Sequence, residues 1–231
     1  MIAQNIARIR EQMQEAALKA GRDPAEVLLC AATKMNDAQH VREAIAAGVD
    51  CCGENRVQEL TQKLKENAYT GAPIHFIGHL QTNKVKQVVG YVDLIQSVDR
   101  IELLECIEKE AAKRSLTQEI LLEINVAGEE SKSGFAPENV LEIAAVMDKF
   151  PHCRLRGLMA IPPVSVQSGD NCRYFEKIKT ISVDIMQKKY HNISMDILSM
   201  GMSDDYADAI ACGSTMIRVG TAIFGARNYQ K

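Results

Sequence analysis

No apolar run in this chain approaches the ~20 residues that a membrane-crossing helix needs. The opening stretch, MIAQNIARIREQMQEAALKAG, lacks the apolar centre of a secretory leader. It places Ile2, Ile6, Ile9 and Met13 on one side of an amphipathic helix instead. An excess of positive charge is missing too. Net charge is −3 and the basic residues are scattered among acids, which gives no basis for nucleic-acid binding. The seven cysteines are odd in number and irregularly spaced, with Cys51 and Cys52 adjacent, and no pair of CxxC motifs suggests zinc. No metal is expected, and cysteines set inside apolar runs read as buried thiols of a reducing cytoplasm. Linkers, low-complexity tracts and short repeats are absent, so residues 1–231 read as a single domain. At 46% hydrophobic and 25% charged, the composition is that of a soluble globular chain.

What is present is alternation. Short apolar runs at 27–33, 50–53, 74–77, 94–98, 119–125, 154–159, 196–200 and 216–220 are bounded by Gly, Asn, Asp and Pro, as strand ends are. Helical patterns lie between them. Asn36 or Asp37 can cap AQHVREAIAAG, and Gly48 fits the position just past its end. Asp99, with Glu102 three residues on, is a candidate cap for IELLECIEKEAAK. Strand–helix alternation implies parallel strands, and eight units after a leading helix predict a single (β/α)8 TIM barrel with an extra N-terminal helix. A doubly wound open sheet is the alternative. It would carry a glycine-rich first turn, where this chain has TKMND.

In such barrels the chemistry sits at the C-terminal ends of the strands. Lys34 ends strand 1, Asn55 follows strand 2 in GENRVQEL, and His79 follows strand 3 in HFIGHLQTNK. Ser199 ends strand 7 before Met202 and Ser203, and Arg218, Gly220 and Thr221 end strand 8. Side chains alternate along a strand, so Cys30, Ala32 and Lys34 share one face, and Met216, Arg218 and Gly220 face the interior. Two cations approaching one cavity call for an anion between them. The glycines and hydroxyls after strands 7 and 8 form a candidate phosphate corner. A lysine amine beside a phosphate site suggests Schiff-base chemistry on a phosphorylated carbonyl compound, for which pyridoxal phosphate and a sugar phosphate both qualify. A second cation nearby would lower the lysine pKa and supply the neutral amine. Each residue also has a structural reading. Lys34 can be a snorkelling or salt-bridged lysine, His79 a hydrogen-bonded loop residue, Asn55 a helix cap, Met202 packing, and Arg218 an ion-pair partner of Glu54.

The segments GENRVQEL, HFIGHLQTNKVK, KSGF, GLMAIPP and LSMGMSDDYADAIACGSTMIRVGTAIFG resemble the pyridoxal-phosphate homeostasis proteins, a family similar in fold to the N-terminal barrel of alanine racemase. The resemblance runs from about Val27 to Gly225. It implies that Lys34 holds pyridoxal 5′-phosphate as a Schiff base, with Asn55 beside the cofactor and His79 near the mouth. It gives the phosphate to Ser199, Gly220 and Thr221, and the pyridine nitrogen to Arg218. Met202 and Ser203 complete the set of cofactor-binding candidates. The run Met35-Asn36-Asp37 departs from the Thr and nearby Pro that commonly follow the family's lysine. The implied function is that of a cytoplasmic, non-catalytic carrier that regulates free pyridoxal phosphate and amino-acid and keto-acid balance. Its implied partners are the cofactor and the apo-enzymes that use it, in a monomer or weak dimer. An arginine holds its proton, so the ring nitrogen facing it stays unprotonated and the ring is a weak electron sink. The competing functions are an amino-acid racemase and a lysine-dependent aldolase acting on a sugar phosphate. The racemase would need a second acid–base group, supplied in alanine racemases by an added β domain, and this sequence ends soon after strand 8. The aldolase would need an acid–base group beside the lysine, and none is obvious on strands 4 to 6.

Overall fold

Eight parallel strands pair in chain order and close, the last against the first, into a barrel. The computed structural model describes residues 1–164 and 167–225. The strands are β1 Leu28–Ala32, β2 Cys51–Glu54, β3 Ile74–Phe76, β4 Leu94–Val98, β5 Gln118–Ile124, β6 Cys153–Ala160, β7 Ile193–Ser199 and β8 Met216–Val219. The helices are α1 Ile2–Lys19, α2 Ala38–Ala46, α3 Val57–Lys65, α4 Ile101–Lys113, α5 Val140–Ala145, α6 Cys172–Gln187, α7 Tyr206–Ala211 and α8 Thr221–Phe224. Between β3 and β4 the crossover is a 3₁₀ helix, Thr82–Gln87.

Alternation of side chains divides the core. Outward residues such as Leu29, Ala31, Ile217 and Val219 join the layer between barrel and helices, while Cys30, Cys51 and Met216 pack inside the barrel. The expected parity of strands 1 and 8 therefore holds. The extra helix α1 lies outside the barrel against α2, α7 and α8, burying Ile2, Ile6, Ile9, Met13 and Ala17. Each large aliphatic side chain so buried contributes roughly 1.5–3 kcal/mol. Asn5 ties the helix down by donating to Ile223 O at 2.9 Å.

Three local expectations need correction. β7 begins at Ile193 rather than Asp196. Its early polar residues point outward, where Arg156 on β6 donates to Ser194 Oγ and Asp196 Oδ2, both at 3.2 Å. Asp99 does not cap α4; its carboxylate pairs with Arg100 and with His79. Lys34 lies beyond β1 rather than at its last step. Thr33 N–H still bonds Gly53 O at 2.9 Å, but Asn36 N–H then reaches back to Thr33 O at 3.1 Å and closes a turn over Lys34 and Met35.

Candidate functional site

The C-terminal ends of the strands enclose a cavity of about 200 Å³. Lys34 enters it from the turn after β1, and Arg218 on β8 lines it with Gly220 and Thr221 just beyond. Asn55, Met202, Ser203 and the unexpected Asp204 complete its polar wall, while Ala32, Ile77 and Ile161 supply apolar surface. A larger groove of about 580 Å³ between α1 and α7 shares Ser203 and Asp204 but contains neither Lys34 nor Arg218.

The lysine turn is anchored from beneath. Met35 takes the left-handed region at φ 61°, uncommon for a residue with a side chain, and its N–H donates to Glu59 Oε2 at 2.6 Å. Lys63 on α3 donates to Thr33 O at 2.8 Å and to Glu54 Oε2 at 2.9 Å. Glu54 also accepts from Thr33 Oγ1 at 3.2 Å and Tyr69 OH at 3.4 Å. Burial raises the Glu54 pKa, and the Lys63 charge and hydrogen bond oppose that rise. Glu54 is therefore the partner of Lys63, and the alternative Glu54–Arg218 pair does not form.

Arg218 is held by neutral acceptors. Its Nη1 donates to Ser199 O at 2.7 Å and to Ser199 Oγ, and its Nη2 donates to Ala160 O at 3.0 Å. Burial pulls its pKa down, while the charges of Cys30, Glu123 and Asp205 oppose the shift. Asn55 does not cap α3, whose N-cap position is Arg56. Among the described residues, Asn55 Oδ1 is buried without a hydrogen-bond partner. Gly78 fixes the Asn55 backbone by close approach, since a Cβ there would lie 2.1 Å from Asn55 O.

Seven of the nine expected site residues thus line one cavity: Lys34, Asn55, Met202, Ser203, Arg218, Gly220 and Thr221. Ser199 and His79 do not. Ser199 is fully buried below it, donating to Gln96 Oε1 at 2.6 Å and accepting from Arg218, so its hydroxyl is committed to holding the arginine. His79 turns outward with its side chain 53% exposed, 3.1 Å from Asp99 Oδ2 and 3.4 Å from Ser133 Oγ.

Glu123, near the C-terminal end of β5, was not anticipated. Burial pushes its carboxyl up to about 7, Asp99 adds to the rise and Arg218 opposes it. Its position three residues after Ile120 in an alternating strand was the available signal.

A phosphorylated pyridine aldehyde needs an amine, a hydroxyl- and amide-lined corner for its phosphate and a partner for its ring. Lys34 supplies the first. Ser203, Gly220 and Thr221 supply the second, and Ser203 Oγ already accepts from Ala222 N–H at 3.4 Å. A Cβ on Gly220 would come within 3.3 Å of Ala32 O, so the absence of a side chain keeps this corner open. Arg218 and the unpartnered Asn55 Oδ1 remain for the ring, and the residues fit the group.

Residues 2–228 match the family model described as alanine racemase, N-terminal domain. The chain is 41% identical to the pyridoxal phosphate homeostasis protein of Pseudomonas aeruginosa, over 99% of this chain and 96% of that one. The structure of PipY from Synechococcus elongatus, described as having PLP bound, superposes with a TM-score of 0.84 at 31% identity, covering 97% of this chain and all of that one. Alanine racemase from Streptomyces coelicolor shares the fold at a TM-score of 0.72 and 14% identity, and this chain covers 59% of it. The chain belongs to the pyridoxal phosphate homeostasis protein family.

Proposed function

We propose that this protein binds pyridoxal 5′-phosphate in the cavity at the barrel mouth and serves as a carrier that keeps the free cofactor low. The observation that carries this reading is the meeting of Lys34, Arg218 and the Ser203–Gly220–Thr221 corner on one cavity. When bound, the cofactor supplies an aldehyde able to condense with an amine. Lys34 is the amine. The turn that bears it is fixed by Lys63 through Thr33 O, so the amine is delivered without further ordering of the backbone. Ser203 and Thr221 hold the phosphate, with Gly220 allowing close approach. Ser199 and Ala160 orient Arg218 toward the ring nitrogen, and the arginine keeps that nitrogen without a proton. Ile77 and Ile161 cover the ring. The partners are the apo-enzymes that take up the cofactor, and the compartment is the cytoplasm. Among the described residues, no helix is long and apolar enough to cross a membrane.

A catalytic reading draws on Glu123, whose carboxyl titrates near neutrality beside Arg218. The test is equilibrium dialysis against pyridoxal phosphate, followed by incubation of the loaded protein with L- and D-amino acids. Retention of the cofactor with negligible racemisation or deamination supports the carrier. Multiple turnover lost in both Lys34→Ala and Glu123→Gln would replace it with an enzyme. Failure to retain the cofactor would remove both.

A further inference from the structure

Inside the barrel, three ligand-type side chains converge away from the mouth. Cys30 on β1, Cys51 on β2 and His75 on β3 bring a sulfur or nitrogen atom each to within 4.8 Å of one another. All three are buried. Strand register explains the meeting, because Cys30 pairs with Cys51 while His75 pairs with Gly53. Gly53 leaves the space, since a Cβ there would stand 2.9 Å from Cys30 Sγ. The thioether residue Met216 packs with the two cysteines. None of these residues lines the cofactor cavity.

We propose that Cys30, Cys51 and His75 form a buried binding site for a thiophilic metal ion, with monovalent copper the favoured occupant. Two thiolates and an imidazole, with a thioether beside them, make a soft donor set of the kind that selects Cu(I) or zinc. Metal–sulfur bonds of about 2.3 Å and metal–nitrogen bonds of about 2.0 Å set ligand atoms roughly 3.5–4 Å apart. The present atoms, all within 4.8 Å, need to close by at most about 1.3 Å. Small rotations of two cysteines and one imidazole supply that.

Coordination number and charge distinguish the ions. Structural zinc sites are almost always four-coordinate, whereas three donors satisfy monovalent copper. Two thiolates with one monovalent cation carry one net negative charge. The buried Arg218, opposite Cys30 in the strand register and hydrogen-bonded to Ser199 and Ala160, balances it. Zinc would leave the pair of thiolates neutral and Arg218 with only the carboxylates of Glu123 and Asp205 as counter-charges. Gln96 Oε1 accepts from Ser199 Oγ at 2.6 Å, which leaves Gln96 Nε2 donating to His75 Nδ1 at 2.9 Å. Metal binding at this ring exchanges that donor contact for the metal or turns the amide away. The cluster is thereby linked, through Ser199, to the arginine that faces the cofactor.

The proposal is tested on the intact chain of 231 residues. The chain is refolded anaerobically under reducing conditions with Cu(I), or in a second arm with Zn²⁺, then passed over a competing chelator and its metal content measured. One copper per chain is expected. Cys51→Ala and His75→Gln should each lower retention at least about tenfold, since loss of even an outer-shell partner has that size of effect. Cys106→Ser and Cys172→Ser, outside the cluster, should not. X-ray absorption on copper-loaded wild type should report two sulfurs and one nitrogen, a readout independent of any variant's folding. Zinc held more tightly, with the same variant sensitivity, would support the site and overturn the choice of copper. No retained metal, retention unchanged in Cys51→Ala and His75→Gln, or a shell without nitrogen would overturn the site.

Discussion

Replacing Lys63 by Met removes the cation under the lysine turn and leaves Glu54 buried. The pair is dry, with side-chain exposures of 6% for Lys63 and 0% for Glu54. Breaking a buried pair by deleting one partner costs about 3–5 kcal/mol. With an m-value of about 2–3 kcal/mol per molar urea, the unfolding midpoint should fall by about 1–2.5 M. The loss should depend on pH in a definite direction. Glu54 already has a raised pKa from burial, and Lys63 is the main influence holding it down. Without Lys63 its folded pKa rises further above the unfolded value. Such a group contributes stability that is complete below the unfolded pKa, about 4.3, and is lost as pH rises through the folded value. The deficit of Lys63→Met should therefore be smallest in acid and grow toward neutrality. Urea titrations at several pH values read both effects. Lys63→Met/Glu54→Leu should recover most of the loss. Cofactor retention should fall in the single variant, because Thr33 O loses the donor that fixes the turn. A midpoint within about 0.3 M of wild type, or a deficit constant with pH, would refute this account of the anchor.

Thr221→Ala should weaken cofactor binding by about 1.5–3 kcal/mol, roughly ten- to hundredfold, and Gly220→Val should weaken it as well by filling the phosphate corner against Ala32. Equilibrium dialysis measures both, and unchanged affinity in the two variants would move the phosphate elsewhere. Glu123, raised to about 7, costs the wild type stability as pH climbs from about 4.3 through that value. Glu123→Gln lacks this titration, so thermal melts should show it gaining on wild type between about pH 5 and pH 8, and a pH-independent difference would contradict the burial of that carboxyl.

The barrel was legible because strands of a parallel sheet, buried on both faces, read as apolar runs between turn residues. Parity then placed Arg218 and Met216 inside without further information. What parity cannot give is the identity of partners across the barrel. Ser199 ends its strand, as read, but its hydroxyl is taken by Gln96 and Arg218, two residues remote in sequence. Lys63 carries no signal of its own in the sequence, yet α3 turns it under β1 and β2, where it pairs with Glu54 in place of Arg218. Asn55 reads equally as a cap or a ligand; only the observed N-cap at Arg56 separates the two. Lys34 was placed at the strand end, two residues beyond where β1 stops at Ala32, because nothing in TKMND signals that Met35 takes a positive φ. The cysteines at 30 and 51 carry no motif, since their meeting depends on strand register rather than spacing.

The measurement that bears most directly on the account is borohydride reduction of the protein loaded with pyridoxal phosphate, followed by peptide mass spectrometry. The account predicts a single reduced phosphopyridoxyl adduct on the peptide carrying Lys34, absent from Lys34→Ala, whose fold should persist because the lysine stands at a cavity rather than in the packed core. An adduct on another lysine, or no adduct on a protein that is folded and saturated with cofactor, would contradict it.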